Sequence, residues 1–220
     1  MKNTRRLRVL CGELRPCARF ADVGCDHGYC TQYMLEQNLC RTAVISDISA
    51  GSLHKAETLL APYIAEGRVR SVCCAGLSDI PRDTDEVLIA GMGGEEIVSI
   101  LEEGFLPPVL VLQPMKNAPK LRRFLLERGY AIERDFTFTD TKHYDLLRAV
   151  RGGQGRAYGA RELAFGYDNI HSPSAEFLSL VEEEIQKCRA RLAAAGRQVP
   201  AVQARLNELA EVRDEIEGRL

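Results

Sequence analysis

Short apolar runs alternate with amphipathic stretches from residue 19 to residue 128, and this alternation constrains the fold more than any other feature. Arg19 to Val23, Thr42 to Ser46, Val69 to Cys74, Asp85 to Ala90 and Val109 to Leu112 read as strands. Helical spacing is read over Tyr29 to Gln37, from Ser49 to about Ala65, over Glu95 to Glu102 and over Ala118 to Arg128. Five strand-then-helix units in succession predict a parallel sheet covered on both faces. Two further strands follow, near Ala131 to Thr137 and Tyr144 to Val150. The polar link Thr139 to Lys142 leaves no room for a crossover helix, so they are expected to pair antiparallel at one edge.

Before this region, Asn3 to Leu14 reads as a short amphipathic helix with Arg5, Arg6 and Arg8 mostly outside. After it the composition changes. The expected division is an α/β domain over 1–152, a linker over 153–171 and a helical hairpin over 172–220. Ser172 is the expected cap of the first hairpin helix, with Pro173 at its first position. Phe177, Val181, Ile185, Cys188 and Leu192 fall on one face. The second helix repeats that spacing from Val202 to Leu220. The fold class is therefore α/β: a doubly wound, mostly parallel seven-stranded sheet with a C-terminal antiparallel helical hairpin. A parallel sheet finished by an antiparallel hairpin is the class I methyltransferase arrangement, which a plain dinucleotide-binding domain lacks.

Composition excludes several classes. Of the 220 residues, 45% are hydrophobic and 27% charged, which suits a globular chain. No apolar run approaches the roughly 20 residues that span a bilayer. The basic start leads into no apolar signal core, so a cytoplasmic protein with no membrane partner is expected. The eight cysteines and four histidines make no zinc spacing, and no metal is expected. The formal net charge of −2 neither requires nor excludes a nucleic-acid partner, because binding follows local patches.

Four motifs carry the chemistry. Asp22-Val23-Gly24-Cys25-Asp26-His27-Gly28 stands where the first strand meets its helix. Ligands of open α/β sheets lie outside the carboxyl ends of the strands. Asp47, followed by Ile48, ends the second strand, where an acid can accept hydrogen bonds from both ribose hydroxyls. Asp26 occupies the place where a dinucleotide fingerprint has its second close glycine, and its charge would repel a pyrophosphate. Carboxylates at Asp22 and Asp26 suit S-adenosylmethionine, which carries an ammonium and a sulfonium and no phosphate. Ala90-Gly91-Met92-Gly93-Gly94, across the strand-order switch, leaves backbone open beside the same cleft. Gln113-Pro114-Met115-Lys116-Asn117 ends the fifth strand, where Gln113 could read a base edge. Lys116, Lys120, Arg122, Arg123 and Arg128 give the following helix a basic start and face, and Arg5, Arg6 and Lys142 extend the expected rim for RNA phosphates.

Taken together, Asp22 to His27, Ile89 to Gly94 and Leu112 to Arg122 resemble the bacterial tRNA (adenine-22-N1)-methyltransferase family, TrmK. The Lys142-His143-Tyr144 segment resembles that family's Lys-x-Tyr, which adds Tyr144 to the expected RNA-binding residues. The likeness runs from about Arg5 to Val150, and the family also carries a C-terminal hairpin. It implies methyl transfer from S-adenosylmethionine to N1 of a tRNA adenine. Cofactor contacts are then expected from Asp22, Gly24, Cys25, Gly28, Asp47, Ile48, Gly76, Leu77, Ala90, Gly91, Met92 and Gly93, with Asp26 and Gln113 catalytic. The family often has Asp where this chain has Ala75, so the adenine contact of that acid is missing, and whether Asp79 substitutes for it stays open. Two alternatives stay open at this stage: a methyltransferase for a small molecule, and a non-catalytic nucleotide- or RNA-binding module. The sequence leaves the oligomeric state open.

Overall fold

The computed structural model describes residues 4–220. The expected helix start at Asn3 lies outside them. Helix α1 (Arg5–Glu13) begins where the Thr4 hydroxyl accepts a hydrogen bond from the Leu7 amide at 3.3 Å. The chain then runs β1 (Cys17–Val23), α2 (Tyr29–Glu36), β2 (Cys40–Asp47), α3 (Ala50–Ala65), β3 (Val69–Cys73), β4 (Glu86–Met92), α4 (Gly94–Glu103), β5 (Val109–Pro114), α5 (Ala118–Glu127), β6 (Tyr130–Thr139) and β7 (His143–Arg151). The strands form one seven-stranded sheet in the order β3-β2-β1-β4-β5-β7-β6. Strands β1 to β5 are parallel, and β7 runs antiparallel to both β5 and β6.

The expected sheet is present, with one difference. Strand β3 is followed by no helix, and residues 74–85 return to β4 through turns. That stretch carries Gly76, Pro81 and several polar residues, and it lacks a helical apolar stripe. The predicted cap Ser49 holds α3 by accepting from the Ser52 amide at 3.3 Å. Gly129, at φ +76°, follows α5 in the left-handed geometry expected of a helix stop.

The core divides by sheet face. Helices α1 to α3 cover one face, packing Leu10, Met34, Leu53 and Leu60 on Phe20, Ile45 and Leu146. Helices α4 and α5 cover the other, packing Ile97, Leu101, Leu121 and Leu125 on Val87, Ile89 and Leu112. Each such side chain contributes about 1.5–3 kcal/mol relative to exposure.

The segment expected as a linker over 153–171 is structured. It holds two short helices, α6 (Ala160–Phe165) and α7 (Tyr167–His171). Asn169 of α7 accepts from the Thr137 amide at 2.9 Å and donates to the Thr137 hydroxyl at 2.8 Å, so α7 is tied to β6. Helices of five or six residues are too short to show a periodic stripe, and polar anchors of this kind leave no sequence pattern. Helices α8 (Ala175–Ala195) and α9 (Pro200–Glu217) make the expected hairpin, with Phe177, Val181 and Ile185 buried against Leu209, Val212 and Ile216. The cap of α8 is Ser174, not Ser172, because the Ser174 hydroxyl accepts from the Phe177 amide at 3.2 Å. Among the described residues no helix is long and apolar enough to cross a membrane.

Candidate functional site

A cleft of about 840 Å³ opens at the carboxyl ends of β1, β2 and β4. Its position follows from the topology. Strand order reverses between β1 and β4, so the loops after them diverge and leave a crevice. Its size is within the range of small-molecule sites.

The loop after β1 supplies most of one wall. Gly24 takes φ +70°, which favours glycine, and its missing Cβ leaves room for Cε of Met92, which would otherwise stand 2.2 Å away and have to swing aside. Asp26 holds a left-handed φ of +44°, which Asp tolerates better than most residues. Its carboxylate meets His27 Nδ1 at 2.6 Å and Lys55 Nζ at 3.4 Å. Partial burial raises its pKa, but the His27 hydrogen bond and the charges of His27 and Lys55 outweigh this and lower it. Asp26 is therefore an anion on the rim of the cleft.

Asp22 behaves in the opposite way. It is buried, its carboxylate accepts from the Thr31 hydroxyl at 3.0 Å, and burial pushes its pKa up to about 7. Thr31 lowers it in part, and the nearby Asp47 raises it again. Asp47 Oδ1 accepts from the Ser49 amide at 2.8 Å, and Oδ2 faces the Asp26 amide at 3.4 Å. These bonds fix the carboxylate at the end of β2, and a carboxylate has lone pairs left for two further donors.

Asp22, Gly24, Cys25, Asp26, Asp47 and Ile48 line the cleft on the β1–β2 side. Gly76, Leu77, Ala90, Gly91 and Met92 line it opposite. Ile48 is 78% exposed at the lip and gives the cleft an apolar edge. Gly28 is not part of the lining. Its missing side chain admits α3, because a Cβ would stand 3.0 Å from Leu60 Cδ1 and 3.1 Å from Ala56 Cβ. Gly93 is also outside it, as the cap of α4 beside the Lys116 stem. Asp79 lies on the exposed loop after β3 and does not line the cleft, so it does not replace the acid missing at Ala75.

Several residues expected at the RNA rim are engaged elsewhere. Arg122 is 1% exposed, and its Nε reaches both oxygens of Asp135 at 3.0 and 2.9 Å. It faces into the protein from α5 and makes no basic surface. Gln113 is fully buried, its Oε1 accepts from Arg6 Nε at 2.8 Å and its amide nitrogen donates to the Pro114 carbonyl at 3.1 Å, so it cannot read a base edge. Arg6 is half-buried and lines the cleft instead of pointing outward. Tyr144 is buried against Phe138, and its hydroxyl pairs with Thr141 at 3.0 Å. Arg5 is bound to the Thr139 carbonyl at 2.8 Å and to Glu176 of α8. Lys116, Lys120, Arg123 and Lys142 remain exposed, with Lys120 3.4 Å from Glu95.

The structure adds residues that the sequence reading did not single out. His27 and Tyr29 stack at 5.4 Å with 7° between their rings and line the cleft mouth. His27 stands inside the Asp22 to Gly28 motif and Tyr29 follows it, and that was the available signal. Among the described residues no cluster of His, Cys, Asp or Glu could hold a metal ion.

Fold and cleft define an α/β domain with a carboxylate-lined crevice at the strand-order switch. Residues 3–147 match the family described as methyltransferase domain, and the chain belongs to that family. A Mycoplasma pneumoniae relative, provisionally named a tRNA methyltransferase, is 38% identical over 133 residues, which are 60% of this chain and 62% of that protein. The matched stretch thus spans less than two thirds of that relative. The tRNA (adenine(22)-N(1))-methyltransferase of Bacillus subtilis is 29% identical over 172 residues, 76% of this chain and 72% of that one. M. capricolum TrmK, solved with S-adenosyl-homocysteine, superposes with a TM-score of 0.87 at 21% identity, covering 98% of this chain and 100% of that one. At that identity the superposition speaks to the fold, including the C-terminal hairpin.

Proposed function

We propose that this chain transfers the methyl group of S-adenosylmethionine to N1 of an adenine in tRNA, at position 22. The observation that carries the reading is the clustering of Asp22, Asp26 and Asp47 in one cleft at the carboxyl ends of β1 and β2. A site with that charge suits a cationic ligand and repels a pyrophosphate. The residues fit the donor: Asp47 is fixed where ribose hydroxyls would donate to it, Ile48 can cover the adenine, and Asp22 can take the ammonium. The names of the relatives point to the same substrate.

When bound, the donor supplies an electrophilic methyl on a sulfonium. Adenine N1 carries an in-plane lone pair and needs no base to remove a proton. The protein's task is to align N1 with that methyl and to stabilise the cation that forms. Asp26 does the second if it lies beside the exocyclic amine of the target. The parallel pair His27 and Tyr29 offers the base a flat surface at the cleft mouth. The exposed Lys116, Lys120, Arg123 and Lys142, with Arg189, Arg191 and Arg197 of the hairpin, meet RNA phosphates. A small-molecule acceptor would give these basic groups no role.

Incubation with methyl-labelled donor and total tRNA tests the proposal. Label retained in tRNA supports it. Donor binding without label in tRNA would reject the tRNA reading and leave the small-molecule alternative.

A further inference from the structure

The Arg6 guanidinium lies inside the cleft, and the residue is held by both its side chain and its backbone. Its Nε donates to the buried Gln113 Oε1 at 2.8 Å. Its own backbone amide donates to Asp140 Oδ2 at 3.0 Å, which fixes the start of α1 against the turn between β6 and β7. Its Cζ stands 5.5 Å from the centre of the Tyr144 ring. Its Nη2 lies 3.1 Å from the place a Cβ on Gly91 would take, and Gly91 itself is at φ +88°. Any side chain at 91 would meet the guanidinium.

One half of this guanidinium is used, and the other is offered to the cleft. Among the described residues no carboxylate pairs with the Arg6 side chain, and none accepts a hydrogen bond from its two terminal nitrogens. A half-buried cation with a locked Nε and coplanar Nη groups turned to the cleft is prepared for an oxyanion. Elsewhere in this protein a buried arginine, Arg122, has two carboxylates beside it.

We infer that Arg6 is an oxyanion-binding prong of the cleft and that Gln113 is the positioning residue that aims it. This rests on the methyltransferase reading. Two anions could occupy it: the α-carboxylate of the methyl donor, or a phosphate flanking the target nucleotide. In either case the Arg6 charge offsets the acidic wall formed by Asp22, Asp26 and Asp47, so a ligand with a cationic centre and an anionic end is held in one orientation. Gln113 suits the aiming role because its amide nitrogen is fixed by the Pro114 carbonyl, which turns Oε1 toward Arg6. A carboxylate at that position would neutralise Arg6, whereas the neutral amide orients it and leaves its charge available.

The test uses the full chain and the variants R6Q, R6K and Q113M, each first checked for a native melting transition. Calorimetry compares S-adenosylmethionine with its decarboxylated analogue, and steady-state kinetics with tRNA gives KM and its salt dependence. If the donor carboxylate is the anion, wild type prefers the full donor by about tenfold or more, the scale of a charged hydrogen bond, and R6Q loses that preference. R6K and Q113M then fall between, since R6K keeps charge without the Gln113 bond and Q113M keeps charge without the aim. If a phosphate is the anion, R6Q leaves donor affinity unchanged, raises the tRNA KM and flattens its salt dependence. Either pattern supports the inference. Variants that match wild type in donor discrimination and in tRNA KM overturn it. Wild type that binds no donor overturns the methyltransferase reading and this inference with it.

Discussion

Arg122 of α5 holds both oxygens of Asp135 on β6, at 3.0 and 2.9 Å, in a site closed to solvent. Asp135 also accepts from the Tyr158 hydroxyl at 2.9 Å and from the Tyr167 amide at 3.1 Å. One ion pair therefore joins the last sheet helix, the antiparallel edge and the segment leading to the hairpin. Burial opposes the Arg122 charge, but Asp135 and Asp145 outweigh it and keep the group charged. Arg122→Ala strands a buried carboxylate and is expected to cost about 3–5 kcal/mol. Urea unfolding of the variant checks this, and a loss below about 1 kcal/mol would show that the network tolerates removal of its cation.

That pair also marks where the sequence stopped being informative. The strand and helix periods, the caps Ser49 and Gly129 and the hairpin seam are local patterns, and each was legible. Lys120, Arg122 and Arg123 look alike in sequence, and only the acid supplied by β6, thirteen positions after Arg122, separates the buried one from its neighbours. Gln113 and Arg6 lie 107 positions apart, so their pairing left no local trace. The glycines expected at the cleft were legible as a group, but Gly28 serves helix packing outside it and Gly91 faces a guanidinium, a distinction that needs three dimensions.

Asp47 is expected to hold the donor ribose. Asp47→Ala should weaken donor binding by about 1–3 kcal/mol, the cost of charged hydrogen bonds left unmade. Titration calorimetry measures it, and unchanged affinity would remove Asp47 from the site.

Asp22 gives the cleft a pH dependence. Its pKa is raised from 3.8 to about 7 in the folded protein, so the folded state holds a proton there that the unfolded chain releases. Its contribution to stability is present below about pH 4 and is lost as pH rises through about 7. Donor binding runs the other way. An ammonium beside Asp22 favours the carboxylate, so affinity should rise through about pH 7 with proton release to the buffer. Asp22→Asn should abolish that slope. Calorimetry in two buffers of different ionisation enthalpy reads the released proton, and identical heats at about pH 6.5 would contradict the prediction.

Lys120 and Arg123 share a face of α5 by their three-residue spacing, with Lys116 on the loop before it. Neutralising these three, and leaving Arg122 in place, is expected to lower the slope of log affinity for tRNA against log salt by about 2–3, near 0.7–0.9 for each phosphate no longer neutralised. Donor affinity should not change. An unaltered slope would move the RNA surface elsewhere, with Arg189, Arg191 and Arg197 of the hairpin the next group to neutralise.

The central claim is the chemistry at Asp26. Asn accepts the left-handed φ of +44° there as Asp does, so Asp26→Asn removes the charge without straining the turn. The decisive measurement is mass spectrometry of nucleosides from a defined tRNA carrying adenine at position 22, after reaction with wild type and with Asp26→Asn. The account predicts N1-methyladenosine at that position with wild type, and about a hundredfold slower formation with the variant at near-normal donor affinity. Methylation at a different atom, or a variant as fast as wild type, would contradict it.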